Sequence, residues 1–75
     1  MNDINHEFDE VIESYTEAIN EDPTNPEAYV GRGIAKMTVE DYQGAIEDFS
    51  EALKLNPDDS ETYITRGNAM HSLGE

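Results

Sequence analysis

Apolar residues recur every three or four positions along most of this chain, with polar or acidic residues between them. The first such segment begins at Glu7. Its apolar face is formed by Phe8, Val11, Ile12, Tyr15, Ala18 and Ile19. This spacing predicts an amphipathic helix. The residues before Glu7 show no such pattern, so residues 1–6 are expected to form a disordered tail.

Three further helices are predicted, each bounded by proline or by a residue that caps helix ends. A second helix is expected from Pro26 to Val39, preceded by an asparagine suited to cap it. A third is expected from Tyr42 to Leu55, and a fourth over residues 60–73, where Asp59 or Ser60 provides the cap. The sequence therefore predicts an all-α fold of four helices.

Two glycines, Gly31 and Gly33, lie within the second predicted helix. Each glycine weakens a helix by ~1 kcal/mol relative to alanine. A flexible linker is the alternative, but the periodicity on both sides argues against it. We therefore expect neighbouring helices to pack closely at these two positions.

The chain repeats itself at a shift of 34 residues. The shift superimposes Pro23 on Pro57, Ala18 on Ala52, Tyr29 on Tyr63, Arg32-Gly33 on Arg66-Gly67, and Ala35 on Ala69. The alignment runs from Glu7 to Glu75 without a gap. An internal repeat of this length is typical of stacked helical units.

This helix–turn–helix unit resembles the tetratricopeptide repeat. The resemblance is carried by aromatic, small and proline residues in a fixed order: Tyr29, Gly33, Ala45, Phe49, Ala52 and Pro57. It implies four helices that begin a right-handed superhelical array. In that frame residues 7–25 hold the second helix of one repeat, residues 26–59 a full repeat, and residues 60–75 the first helix of another.

Three residues depart from the family pattern. Lys36 replaces a usual aromatic residue, and we expect its stem to pack while its amine stays in solvent. Arg32 and Arg66 stand where leucine is more usual. We expect them to pair with carboxylates on the neighbouring helix, with Asp48 as the best candidate for Arg32. Exposed pairs contribute only ~0–1 kcal/mol, so both arginines are interpreted mainly as packing residues.

The two half repeats leave a helix face without a partner at each end. These faces consist of Phe8, Val11, Ile12 and Tyr15 on the first helix, and Tyr63, Gly67 and Met70 on the last. We predict that the chain self-associates through them as a homo-oligomer, either a ring, a filament or a helix-swapped dimer. The alternative is that the sequence is a fragment of a longer array.

The resemblance also implies a binding groove, because the first helix of each repeat usually lines the surface that receives a peptide. The corresponding positions are Glu27, Val30, Ile34, Met37, Glu61, Ile64, Asn68 and His71. This surface is apolar with acidic edges, which suits a basic or amphipathic peptide or helix. Packing of Val30 and Ile34 against a neighbouring chain is an equal alternative. The lysine, asparagine and arginine with which some family members hold an acidic C-terminus are missing.

The charge balance narrows the class of partner. The chain has 18 acidic and four basic residues, for a net charge of −14. This excess disfavours nucleic acid and anionic membranes and attracts basic proteins. It also leaves a second hypothesis open, in which the chain is an acidic decoy that masks a basic nucleic-acid-binding protein.

Little in the sequence points to catalysis. There is no cysteine, no nucleophile motif and no glycine-rich phosphate loop, so we expect no catalytic residue and no cofactor. His71 with Glu75 is too small a set to predict a metal site. No signal-like start and no run of ~20 apolar residues is present, which favours a cytoplasmic protein. The predicted function is therefore a non-catalytic interaction module or small assembly adaptor.

Overall fold

The chain folds into four helices connected by short turns. A computed structural model describes residues 4–74, with side chains from His6 onward. It contains α1 (Ile4–Glu21), α2 (Pro26–Thr38), α3 (Tyr42–Leu55) and α4 (Ser60–Leu73). No strand occurs within residues 4–74. The predicted all-α, helical-repeat fold is confirmed.

The helix boundaries agree closely with the sequence pattern. Helix α3 has the predicted bounds, and α2 ends at Thr38, one residue before the predicted Val39. Helix α1 begins at Ile4, so it includes residues 4–6, which the pattern had assigned to a disordered tail. The first turn of α1 contains Glu7, a charge that the helix dipole favours there. Residues 1–3 of the expected tail lie outside the described residues.

Side-chain caps begin the last three helices. Asn25, Asp41 and Asp59 each accept a hydrogen bond, at 3.1 to 3.2 Å, from a backbone N–H two or three residues further on. Pro26 occupies the first turn of α2, where its missing N–H leaves no helical bond unmade. These caps satisfy backbone donors that the helices cannot satisfy internally, and they confirm the predicted starts.

The turn between α2 and α3 contains a residue in the left-handed conformation. Glu40 has a φ of +67°, and Gly74, 34 residues later in the repeat, has a φ of +98°. The backbone N–H of Asp41 donates to the carbonyl of Lys36 at 2.8 Å, which closes the end of α2. A non-glycine residue costs roughly 1–2 kcal/mol in this conformation. The tight turn is therefore formed in spite of Glu40.

Each helix packs against its neighbours in the sequence: α1 on α2, α2 on α3, and α3 on α4. The resulting layer measures 40 × 33 × 15 Å between Cα extremes. Its central cluster consists of Ala45, Phe49 and Ala69, and Phe49 is fully buried. The core thus joins α3 to α4, with half-buried residues of α2 packed against it.

The two glycines of α2 receive one aromatic ring from each neighbouring helix. A Cβ atom at Gly31 would collide with the ring of Tyr15 from α1. A Cβ atom at Gly33 would lie only 2.6 Å from the ring of Phe49 in α3. The prediction that these glycines mark close helix packing is therefore confirmed.

Candidate functional site

A buried ion pair joins α2 to α3. Arg32 donates from Nε to Oδ2 of Asp48 at 2.8 Å and from Nη2 to Oδ1 at 2.7 Å. The Asp48 side chain is only 4% exposed and that of Arg32 is 19% exposed. The hydrogen bond to Asp48 raises the pKa of Arg32. The predicted partner is confirmed, but the pair is largely shielded from solvent, so the expectation of an exposed pair is wrong.

Lys36 belongs to the same cluster. Its Nζ lies 3.2 Å from Oδ2 of Asp48, and its side chain is only 20% exposed. The expectation that the amine stays in solvent is therefore wrong. Lys36 lies one turn after Arg32 on the same face of α2, so both cations reach the one carboxylate that α3 presents there.

Two hydroxyl groups hold the arginines from the other side. Arg32 Nη1 donates to Oγ1 of Thr16 at 3.1 Å, and Arg66 Nη1 donates to Oγ of Ser50 at 3.0 Å. Arg66 has no carboxylate partner among the described residues, so the expectation that it pairs with one is wrong. The 34-residue shift relates Thr16 to Ser50 as it relates Arg32 to Arg66, so the repeat in the sequence already indicates these hydroxyl partners.

Each arginine also lies over a tyrosine of its own helix. The guanidinium carbon of Arg32 is 5.9 Å from the ring centre of Tyr29, and that of Arg66 is 5.3 Å from the ring centre of Tyr63. These distances allow a cation–π attraction, which further fixes each guanidinium group on its helix. Helices α2 and α4 therefore hold their arginines in the same way.

The residues predicted to line a groove fall into two groups. Six are exposed: Glu27, Ile34, Glu61, Ile64, Asn68 and His71. Val30 and Met37 are half-buried because they pack against the central cluster. No enclosed pocket occurs in the described part of the chain. We call these eight residues the Ile34–Ile64 surface, and it is shallow.

The faces predicted for self-association differ in how open they are. On α1, Val11 is 39% exposed, whereas Phe8 and Ile12 are half-buried. Tyr15 lies with its ring beside Gly31 of α2, so it belongs to the contact between α1 and α2. The prediction that Tyr15 lies on an open face is therefore wrong. The apolar period of α1 is as predicted, but the side chain of Tyr15 points towards α2.

On α4 the corresponding face is open throughout. Tyr63 is 46% exposed and Met70 is 37% exposed, and Gly67 is exposed between them. A Cβ atom at Gly67 would meet no other group within 4 Å. We call Tyr63, Arg66, Gly67 and Met70 the α4 outer face.

Negative charge dominates the surface, since the chain has 18 acidic residues against four basic ones and two of those four are partly buried. Arg32 and Lys36 both contact Asp48, and Lys54 forms an exposed pair with Glu51 at 3.2 Å. No group of three or more histidines, aspartates or glutamates is arranged for a metal in the part of the chain that the structure describes. None of the described helices is both long enough and apolar enough to cross a membrane. The Ile34–Ile64 surface and the α4 outer face thus expose apolar side chains on a chain whose net charge is −14.

Comparison with known proteins identifies the repeat unit. Residues 26–59 match the family model described as tetratricopeptide repeat. These residues cover α2, α3 and the turns that bound them. A search of curated proteins found no match to the chain. The paired helices, the glycine contacts and this match together identify residues 26–59 as a tetratricopeptide repeat.

Proposed function

We propose that this chain is a non-catalytic protein-interaction module that binds a basic amphipathic helix or peptide on the Ile34–Ile64 surface. The family supports the general role, since tetratricopeptide repeats are in general non-enzymatic interaction repeats. The observation that carries the specific proposal is the exposure of two isoleucines, Ile34 at 49% and Ile64 at 65%. They lie on α2 and α4, which are equivalent elements of the 34-residue repeat.

Apolar exposure of this kind favours association. Burying apolar surface contributes roughly 25 cal/mol per Å², so isoleucines left in water are a source of binding free energy. Larger groups of exposed apolar residues, rimmed by polar ones, mark interaction surfaces. Leucine or isoleucine side chains of a partner helix would cover Ile34 and Ile64.

Charge selects a basic partner. Glu27 lies two helical turns before Ile34, and Glu61 lies one turn before Ile64, and both glutamates are exposed. With a net charge of −14, the whole chain attracts cationic segments and repels anionic ones. Lysine or arginine residues beside the apolar face of the partner would meet these glutamates.

A matched pair of peptides tests this proposal. An amphipathic helical peptide of leucine and lysine is titrated into the full chain, with a leucine–glutamate peptide of the same pattern as the control. We expect the basic peptide to bind and the acidic one not to bind. Ile34→Asp and Ile64→Asp should each weaken binding about tenfold or more, because a charge would be buried without a partner.

Leu55→Asp serves as the matched control variant, since Leu55 is 40% exposed but lies at the end of α3. It introduces the same charge away from the Ile34–Ile64 surface and should leave binding nearly unchanged. Equal binding of both peptides, or equal effects of Ile34→Asp and Leu55→Asp, would contradict the proposal.

The decoy hypothesis is separated by salt dependence. An acidic decoy holds its partner mainly by charge, so its binding to a basic nucleic-acid-binding protein should weaken steeply with added salt and compete with DNA. Binding through Ile34 and Ile64 should persist at high salt, since apolar contacts are not screened.

Self-association through the end helices stays a prediction. Sedimentation at low micromolar concentration tests it, and a chain that is monomeric at this concentration would contradict it.

A further inference from the structure

The turn between α2 and α3 is under conformational strain. Glu40 is the one non-glycine residue with a positive φ, +67°, among the residues that the structure describes. The position 34 residues later is Gly74, and glycine adopts such a φ without strain. A larger residue in this conformation crowds the backbone. Glu40 is exposed and forms no ion pair with a described residue, so no such pair offsets the strain.

This turn is also the connection that a continuous helix can replace most easily. Residues 34–43 contain neither glycine nor proline. The turn between α1 and α2 contains Pro23, and the turn between α3 and α4 contains Pro57. A proline inside a helix removes a backbone hydrogen bond and clashes with the preceding turn, so those two connections resist straightening. The connection between α2 and α3 has no such barrier.

The backbone bonds of the turn have close equivalents in a helix. The N–H of Glu40 donates to the carbonyl of Met37 at 2.9 Å, and the N–H of Asp41 donates to that of Lys36 at 2.8 Å. In a continuous helix each N–H donates to the carbonyl four residues before it, so these two donors would exchange acceptors. The cap that Asp41 forms with the N–H of Gly44 would be lost, but that N–H would then bond to the carbonyl of Glu40. Straightening therefore leaves none of these donors unpaired.

The apolar pattern runs through the turn without a break. Residues at alternate steps of four and three form one stripe from α2 into α3, and all of them are buried or half-buried: Ala35, Val39, Tyr42, Ile46, Phe49 and Leu53. This is the spacing with which one helix presents a continuous apolar seam to another. Glu40 and Asp41 fall outside the stripe, so a continuous helix would keep their charges in solvent.

We propose that this turn is a hinge through which two copies of the chain exchange helices. Its straightening joins residues 26–55 into one helix, and α3 and α4 of each copy then pack on α2 of the other. The contacts between α2 and α3 form again between copies. Asp48 of one copy binds Arg32 of the second, and the ring of Phe49 lies on Gly33 of the second. Exchange of identical elements is a low-cost route to a closed, two-fold dimer.

The balance between the single chain and the dimer depends on the hinge. Helix α1 stays with its own α2, and α4 stays with its own α3, so the helix contacts of the single chain recur in the dimer. The dimer relieves the strain at two copies of Glu40. It is opposed by the lost freedom of one chain and by repulsion between two chains of net charge −14. High protein concentration and added salt should therefore favour the dimer.

The exchange would also change the proposed binding site. Ile34 lies on α2 and Ile64 on α4, so each Ile34–Ile64 surface of the dimer combines residues of both copies. The dimer would present two such surfaces, and a partner with two basic segments would gain affinity by binding both. This consequence rests on the proposed function, whereas the hinge does not.

A matched pair of substitutions tests the hinge. Glu40→Gly and Glu40→Ala remove the same charge but have opposite conformational effects. Glycine relieves the strain in the single chain, whereas alanine keeps it and favours the continuous helix. Sedimentation at concentrations from micromolar to millimolar measures the dimer fraction of both variants. We expect the association constant of the dimer to be about tenfold or more lower for Glu40→Gly than for Glu40→Ala.

A complementary pair of variants identifies the exchanged contact. Arg32→Asp and Asp48→Arg each set two like charges against each other between α2 and α3. When the two variants are unfolded together in urea and refolded, each contact between copies in a mixed dimer pairs an acid with a base. We expect a one-to-one dimer that melts at a higher temperature than either variant alone. Association through the end helices would give no such rescue.

Three results would overturn the proposal. The first is a Glu40→Ala chain that stays monomeric at millimolar concentration. The second is an equal dimer fraction for Glu40→Gly and Glu40→Ala. The third is a refolded mixture of Arg32→Asp and Asp48→Arg that melts no higher than the separate variants. The leucine–lysine peptide tests the Ile34–Ile64 surface on the single chain, so the two proposals fail separately.

Discussion

The carboxylate of Asp48 on α3 accepts two hydrogen bonds from the guanidinium group of Arg32 on α2, at 2.7 and 2.8 Å, with almost no exposure to solvent. Lys36 contacts the same carboxylate, and Thr16 of α1 accepts a third bond from Arg32. Three successive helices are therefore linked through one side chain. A cluster of this kind fixes the register of helices that apolar contacts alone would fix less firmly.

Removing Asp48 should destabilise the chain strongly. Asp48→Ala leaves the partly buried cations Arg32 and Lys36 without their carboxylate, and loss of one partner of a buried pair costs about 3–5 kcal/mol. Urea unfolding followed by circular dichroism measures the change. Glu47→Ala, an exposed acid next in the chain, is the control and should change stability by less than about 0.5 kcal/mol. Similar losses in the two variants would contradict this assignment.

The double variant Arg32→Met with Asp48→Ala tests the coupling. If the two side chains form one unit, the double variant should lose much less stability than the two single variants lose together, because neither charge is left without its partner. Additive losses would show that each residue stabilises the chain independently. Arg66→Met provides a comparison: among the described side chains, Arg66 has a hydroxyl group as its hydrogen-bond partner and the ring of Tyr63 beside it, so its replacement should lower stability by about 1 kcal/mol.

The same substitution should have opposite effects at two equivalent glycines. Gly33→Ala places a Cβ atom 2.6 Å from the buried ring of Phe49, and overpacking of this kind costs about 1–3 kcal/mol. Gly67→Ala meets open space and should stabilise α4 by up to about 1 kcal/mol, because alanine favours the helix. Thermal unfolding of both variants decides the matter. Destabilisation by Gly67→Ala would mean that its surroundings are not open.

Helix positions were predictable from the sequence because the apolar period, the prolines and the capping residues all agree. The bounds of α3 and the pairing of Arg32 with Asp48 follow from that agreement. The burial of the pair, the position of the Lys36 amine and the partner of Arg66 did not follow. These depend on side-chain directions across a helix contact, which a spacing pattern does not encode. Tyr15 shows the same limit. The apolar period of α1 predicts the helix face on which Tyr15 lies, but not which neighbouring helix covers that face.

The left-handed residue in the turn between α2 and α3 offers a stabilising change. Glu40→Gly should raise the free energy of unfolding by about 1 kcal/mol, because glycine adopts a φ of +67° without strain. Glu40→Ala removes the charge but keeps the strain, so it should give no such gain. Equal effects of the two variants would show that charge, not conformation, is responsible. The glycine variant should also disfavour a helix-swapped dimer, which requires this turn to straighten.

Stability should fall in acid partly through two turn aspartates. Hydrogen bonds from Thr24 lower the pKa of Asp22, and hydrogen bonds from Thr62 lower the pKa of Asp59. A carboxyl whose pKa is lower in the folded state stabilises the fold above its ordinary pKa near 3.8, and this contribution is lost as the pH falls through the lower folded value.

Asp59→Asn tests this pH dependence, since asparagine still caps α4 but does not titrate. We expect its stability to decline less between pH 5 and about pH 2 than that of the unchanged chain. Asp58→Asn removes a neighbouring charge without touching the cap and serves as the control. An identical acid decline in the Asp59→Asn chain and the unchanged chain would exclude a contribution from Asp59.

Because each helix packs mainly against the helices next to it in sequence, cooperativity should decrease from the middle of the array outward. Backbone amides of α2 and α3 have packed helices on both sides, whereas α1 and α4 have one, so native-state hydrogen exchange should be slowest in the central pair. A helix bound on the α4 outer face would turn α4 into an interior element. Occupancy of that face would then register as slower exchange in α4 even if no backbone atom moved.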